Sequence, residues 1–281
     1  MDARTLWHGD ELDLDGYLAR VGFDGPRTPS LATLRALQRA HVTTIPFENL
    51  ELMAGRPIPL DLESLQRKMV RQRRGGYCYE NALLFAAALE RLGFDVTGLQ
   101  GRVTMGAQDI RPRTHALLWV TTADDDRAWL CDVGFGSGPL YPIELVASDR
   151  EIAQEQWRYR LQRTGEMWEL HQLCRLGWVH RHVFTLERQY PVDYRVGNHY
   201  VSTHPRSPFL ARPYIQRFHA DVHHILDDLT WTVERPDGSS TAQTVEPHEL
   251  PKLLADVFDI EVDASDAAVL AAADWPQRRT P

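Results

Sequence analysis

Three residue types with the means to do acyl chemistry stand out along this chain: a cysteine, Cys78, a histidine, His115, and an aspartate, Asp132. Cys78 sits in Arg74-Gly75-Gly76-Tyr77-Cys78-Tyr79-Glu80, just before the apolar run Ala82-Leu83-Leu84-Phe85-Ala86-Ala87-Ala88-Leu89. The two glycines allow a sharp turn, and the run beyond them consists of good helix formers as far as Gly93, a natural stop. Cys78 is therefore expected at the N-terminus of a buried helix, where the helix dipole favours a negative sulfur. Free cysteine titrates near ~8.5, and a helix N-terminus beside an imidazolium lowers that enough to make the thiolate a nucleophile.

Such a nucleophile needs a base, and the base needs a group that orients it. His115 to Val120 and Arg127 to Val133 read as two strands joined through the polar stretch Thr121 to Asp126. If Thr121 pairs with Asp126 around a four-residue loop, His115 falls opposite Asp132. Opposed residues on one sheet face have Cβ atoms about 4.5 to 5.5 Å apart, within reach of a carboxylate that holds an imidazole Nδ1–H. After Asp132 comes Val133-Gly134-Phe135-Gly136-Ser137-Gly138, where glycines permit a ligand to approach the backbone closely. Cys131 and Cys174 read as packing residues. His180 with His182, and His223 with His224, lack the spacing that lines ligands up on one face, so no metal is expected.

The elements that would position these groups divide the chain into residues 1–92, 93–204 and 205–281. The first part is helical: Leu14, Tyr17, Leu18 and Val21 share one face, Thr28-Pro29-Ser30 starts a helix carrying Leu31, Leu34 and Leu37, and Asp61 opens another with Leu62, Leu65 and Met69 inward. Arg71, Arg73 and Arg74 follow at its end, favourably placed against the helix dipole or available to attract an anion. From Val96 to about Leu186 short alternating segments predict an antiparallel sheet or barrel. The remainder is mixed. Pro191 to Tyr200 reads as short and irregular, Trp231-Thr232-Val233 and Ala242 to Val245 flank the Pro236-Asp237-Gly238 turn, Glu246-Pro247 starts a helix, and Asp263 to Trp275 is an Ala-rich candidate helix.

The chain has 281 residues and a net charge of -8, from 31 basic and 39 acidic side chains, which argues against a nucleic-acid or anionic-membrane partner. Three widely spaced cysteines fit a reducing cytosol, and neither a leader at Met1 to Arg20 nor a membrane-spanning run is read, so a cytoplasmic protein is expected.

Taken together, Ile45-Pro46-Phe47-Glu48-Asn49-Leu50, Arg74 to Glu80, His115, Asp132-Val133-Gly134-Phe135-Gly136, and Ser202-Thr203-His204-Pro205 with Phe209 resemble the signatures of the arylamine N-acetyltransferase family, in the family's order. The likeness runs from about Leu14 to Val262. The resemblance implies an α+β, cysteine-protease-like fold with a helical N-terminal domain, a central antiparallel β-barrel and a C-terminal α/β lid. It implies a Cys78-His115-Asp132 triad that takes an acetyl group from acetyl-CoA as a Cys thioester and passes it to an aromatic amine, hydrazine or arylhydroxylamine. Phe135, Phe209, Phe47 and Val103 would line the acceptor pocket, Gly134 and Gly136 would lie near the CoA arm, and a homodimer is part of the same expectation. One departure is Ala82 where the bacterial pattern has Asn, with Asn81 one place earlier. The competing reading within the fold is an amide synthase that releases an aminoaryl polyketide chain of ansamycin type. A cysteine peptidase or transglutaminase and a non-catalytic scaffold rank below both.

Overall fold

The computed structural model describes residues 5–107, 109–175 and 177–272; Trp275, the far end of the expected Ala-rich helix, lies outside them. Helices come first: α1 (Leu14–Val21), α2 (Leu31–Thr44), the short α3 (Leu50–Met53), α4 (Leu62–Leu65), which widens into a π-helical stretch over Gln66–Arg71, and α5 (Cys78–Arg91). Their starts follow ordinary capping chemistry. Asp13, Ser30 and Asp61 each accept a backbone N–H three residues on, satisfying a donor that the helix leaves open. In α5 the residues Cys78 to Leu89 are all buried, as the apolar run predicts.

Eight antiparallel strands follow: β1 (Asp95–Val103), β2 (His115–Thr122), β3 (Asp125–Cys131), β4 (Ile143–Glu144), β5 (Ser148–Gln154), β6 (Trp157–Thr164), β7 (Met167–Cys174) and β8 (Gly177–Phe184). Their order is β4-β3-β2-β1-β8-β7-β6-β5, the antiparallel sheet expected of an α+β fold, curled into a half-barrel with β4 and β5 at its two ends. Beyond it lie α6 (Pro191–Thr203), a four-stranded meander of β9 (Tyr214–Phe218), β10 (His223–Asp227), β11 (Thr230–Glu234) and β12 (Ser240–Thr244), then α7 (Leu250–Phe258) and α8 (Ala264–Ala272).

The α6 helix corrects the expectation of an irregular 191–200 stretch. Pro191 occupies its first turn, where a missing N–H is harmless, and Asp193 Oδ2 accepts the Tyr190 N–H at 2.8 Å. Tyr194, Gly197, Asn198 and Val201 form its buried face at helical spacing. The Tyr194 hydroxyl donates to Leu117 O at 2.7 Å, tying the helix to the sheet. Exposed Val192 and Val196 on the other face, with Gly197 and Asn198 on the buried one, mask that periodicity in the sequence.

The segment from Ile45 to Leu50 joins the parts. Phe47 exchanges both backbone hydrogen bonds with Gln216 of β9, at 3.0 and 2.9 Å, while Gly76 N–H donates to Pro46 O and Glu48 N–H to Gly76 O, at 3.1 and 3.2 Å. Asn49, almost wholly buried, donates to Phe209 O and Arg212 O and accepts from Tyr214 N–H. Glu48, fully buried, lies 3.0 Å from Arg74 Nη2 and 3.6 Å from Lys68 Nζ; Lys68 in turn reaches Glu80 at 2.7 Å, and Arg74 reaches Asp266 of α8 at 3.1 Å. Of the three arginines singled out above, Arg74 belongs to this interior network, Arg73 pairs with Asp259 and Arg71 with Glu63. Their work is structural.

Removing one partner from a buried ion network leaves an uncompensated charge, which costs about 3–5 kcal/mol, whereas an exposed pair contributes about 0–1 kcal/mol. Urea unfolding should therefore show Arg74→Met strongly destabilised and Arg73→Ala nearly unchanged. Equal effects would mean that Glu48 is not held by Arg74.

Candidate active site

Cys78 is the first residue of α5, and the loop before it is built to present it. Tyr77 N–H donates to Glu80 Oε2 at 3.0 Å, the reciprocal cap of this helix start. Asn81 Nδ2 donates to Gly76 O at 2.6 Å, and Asn81 Oδ1 contacts His41 Nε2 at 3.0 Å. The Asn displaced by one place in the sequence is therefore used to brace the turn. Gly134 packs directly on the nucleophile's backbone, where an added Cβ would lie 2.6 Å from Cys78 Cα. That clash, rather than a general need for a flexible turn, explains glycine at 134.

His115, the first residue of β2, and Asp132, just beyond β3, come together with His115 Nε2 3.0 Å from Asp132 Oδ1. Two details differ from the sequence reading. The turn is Ala123-Asp124, closed by Thr122 opposite Asp125, and the register slips there so that Thr121 pairs with Ala128, not Asp126. Asp126 and Arg127 are two extra residues on the β3 side. A slip of two keeps side-chain parity, so Asp132 stays on the face of His115 as a diagonal neighbour. The carboxylate also takes Nε2 and not Nδ1, which leaves Nδ1 for the cysteine. Cys78 acts on the ring as hydrogen-bond partner and as charge, and its Sγ lies 3.4 Å from Thr114 O.

A residue that the sequence reading set aside completes the arrangement. His182 Nε2 lies 2.9 Å from Asp132 Oδ2, so one carboxylate receives two imidazole N–H groups. In β8 the register passes from His171 opposite His180 to Leu170 opposite His182, making Arg181 a bulged residue. The bulge turns both Arg181 and His182 inward, and nothing in the local sequence announces it. Arg181 lies over the Phe135 ring, 4.4 Å from its centroid, and donates to Ser137 Oγ.

The electrostatics separate the two histidines. Burial opposes charge on both rings, but the Asp132 charge, its hydrogen bond and Cys78 together push His115 up to about 10. For His182 burial dominates and lowers it to about 4. Burial works against the Asp132 carboxylate, yet the two histidines, His115 foremost, hold it well below the usual carboxylate range.

A cavity of about 1440 Å³ opens onto this cluster. Cys78, His115, Phe47, Val103, Gly134, Phe135 and Phe209 all line it, whereas Asp132 sits behind the histidine and Gly136 packs against the Gln216 side chain. Tyr214, Gln216 and His223 reach the wall from the second sheet, residues that carry no signal in the sequence. Phe47 and Phe209 have ring centroids 5.6 Å apart, and the His115 ring meets Phe135 edge-on at 5.0 Å. Cys131 is fully buried, as expected, but Cys174 lies on the cavity wall and is not a packing residue. Exposed Arg111, Arg175, Arg206 and Arg235 border the cavity, and none has an ion-pair partner among the described residues.

Residues 30–267 match the N-acetyltransferase family. The chain is 59% identical to the arylamine N-acetyltransferase of Nocardia farcinica, whose crystal structure superposes with a TM-score of 0.95 over 99% of each chain. It is 43% identical to the arylamine N-acetyltransferase of Mycolicibacterium smegmatis, over 71% of this chain and 74% of that protein. The structure of Mycobacterium marinum arylamine N-acetyltransferase in complex with CoA is 34% identical, with a TM-score of 0.87 over 93% of this chain and 98% of that one.

Histidine titration by NMR reads the electrostatics directly. His115 should remain protonated through pH 8 and titrate near 10, while His182 stays neutral down to about pH 4. The raised His115 contributes stability that is full below its ordinary value of about 6.5 and is lost as pH rises through 10; the lowered His182 contributes stability that is lost as pH falls from 6.5 towards 4. A His115 signal titrating below 7 overturns the ion pair. His182→Phe, which removes the second hydrogen bond to Asp132, should reduce turnover by roughly 10- to 100-fold, with the fold intact by circular dichroism. An unchanged rate would show that His115 alone suffices to hold the carboxylate. Iodoacetamide should modify Cys78 first, since burial pushes the Cys131 and Cys174 thiols up. Earlier labelling of Cys174 contradicts this order.

Proposed function

The chain belongs to the arylamine N-acetyltransferase family, and from that premise we propose that it transfers an acetyl group from acetyl-CoA through a thioester on Cys78 to an aromatic amine, a hydrazine or an arylhydroxylamine. The observation that carries the assignment of roles is the line from Cys78 through His115 to Asp132 at the floor of a large aromatic-walled cavity. In this reading the proton already rests on His115, and the Cys78 sulfur attacks the thioester carbonyl while the carbonyl oxygen takes the developing negative charge. The backbone N–H of Cys78 at the start of α5 supports that oxygen. CoA departs as the thiol, with the proton supplied by His115. In the second half the amine nitrogen attacks the acetyl carbonyl, His115 removes the amine proton, and the sulfur is released.

Asp132 keeps the ring in one orientation and stabilises its positive charge without itself taking a proton. Phe47, Phe135 and Phe209 line the cavity and offer apolar aromatic surface suited to an aryl ring. The exposed arginines at the cavity border suit the phosphates of CoA. The amide-synthase reading draws no support from the relatives described above, which are acetyltransferases by name. Cys78, Cys131 and Cys174 are unpaired, which fits a reducing cytosol, and no helix among the described residues is long and apolar enough to cross a membrane.

Incubation with acetyl-CoA in the absence of acceptor should add one acetyl group to the intact protein and none to Cys78→Ala, and transfer to 4-aminobenzoate or isoniazid should fall by at least about 10⁴-fold in that variant. Acetylation that persists in Cys78→Ala, or no adduct with any acyl-CoA, would sink the proposal.

A further inference from the structure

The hairpin of β7 and β8 carries a second convergence of ligating atoms, on the face opposite the cavity. His171 and His180 are paired directly across the two strands, and their rings stack with centroids 4.7 Å apart and planes 16° apart. Glu169 precedes His171 by two residues and so shares its face of β7; its Oε2 lies 3.5 Å from His171 Nε2. One ligating atom from each of the three lies within 4.8 Å of the other two. Both Nε2 atoms are buried and have no hydrogen-bond partner among the described residues. A buried polar atom without a partner is unfavourable, and here two such atoms lie close together next to a carboxylate. The cluster of His115, Asp132 and His182 differs in kind, because its Nε2 atoms already bond to the carboxylate oxygens.

We propose that Glu169, His171 and His180 form a binding site for a divalent transition metal of the zinc class, held by the two imidazole Nε2 atoms and one carboxylate oxygen, with water completing a tetrahedron. Two neutral imidazoles and a carboxylate suit Zn²⁺, Co²⁺ or Ni²⁺ and not Mg²⁺ or Ca²⁺, which favour all-oxygen shells. Three arginines share this face of the sheet, of which Arg158 on β6 pairs with Glu151 at 3.0 Å. Arg160, opposite His171 on β6, has its guanidinium drawn over the Trp178 ring, 3.9 Å from the centroid, and Arg102 on β1 is committed to Arg111 O.

The site's position gives it a role. Gln172, Val179 and Arg181 of the same hairpin line the cavity, and the bulge at Arg181 separates His180, which faces away, from His182, which holds Asp132. A metal bridging β7 and β8 immediately before that bulge clamps the two strands in the register on which His182 depends. It takes no part in the transfer step.

Full-length Cys78→Ser protein, in which the active-site thiol does not compete, is titrated with Co²⁺ at pH 7.5. One equivalent should bind with the visible bands of a tetrahedral nitrogen and oxygen site and without a thiolate charge-transfer band, and Zn²⁺ should raise Tm and displace it. His171→Gln and His180→Gln should each weaken Co²⁺ binding by at least about tenfold, and Glu169→Gln, a half-exposed change that leaves the sheet intact, supplies the same readout if either histidine variant unfolds. Absence of saturable Co²⁺ binding, or binding undiminished in these variants, overturns the site.

Discussion

A single buried carboxylate organises this molecule. Asp132 is removed from water almost completely and survives as an anion because each of its oxygens faces an imidazole Nε2, one from His115 and one from His182. The two rings compete for one negative charge in a low-dielectric interior, and the competition is resolved by what else they touch. His115 also meets Cys78 and takes the proton; His182 has only Asp132 to offset its burial and remains neutral. On the proposed mechanism this asymmetry separates the ring that would work as acid and base from the ring that only holds the carboxylate. It also explains why residues from β2, β8 and the end of β3 must converge, and so why the sheet runs β3-β2-β1-β8.

A second set of buried charges fixes the other half of the site. Glu48, Lys68, Arg74 and Glu80 hold the loop before α5, and Glu80 closes the circuit by capping the helix at Tyr77. Cys78 therefore follows a turn held by buried ion pairs and a helix cap. Gly134 brings the chain that follows Asp132 against the Cys78 backbone, so the acid–base pair and the thiol are located relative to each other by direct contact. The Ile45 to Leu50 segment extends this frame to β9, and through Asn49 to the Phe209 loop, which places the aromatic wall over the sulfur.

The cavity's chemistry is divided along its depth. The thiol, His115 and the Phe side chains lie inside, and arginines that lack ion-pair partners among the described residues lie at the exposed border. Such a division matches a substrate that is apolar or aromatic at its reacting end and anionic at the other, as an acyl-CoA is. The β7–β8 hairpin contributes to this wall on one face and to the Glu169-His171-His180 cluster on the other.

What the sequence determined by itself was local or carried by contiguous motifs. The start of α5 at Cys78 follows from a glycine pair and an apolar run, and the shift from helices to strands near residue 95 follows from a change of hydrophobic period. The pairing of His115 with Asp132 was legible because strand parity survives an even slip of register. The tertiary structure alone decided the rest. The slip at Thr121, the bulge that turns His182 inward, the cross-strand meeting of His171 with His180, and the arrival of Tyr214 and Gln216 at the cavity all depend on which distant strands pair and where a residue is left over. Register and bulges are settled by packing across the whole sheet, and no short window of sequence records that balance.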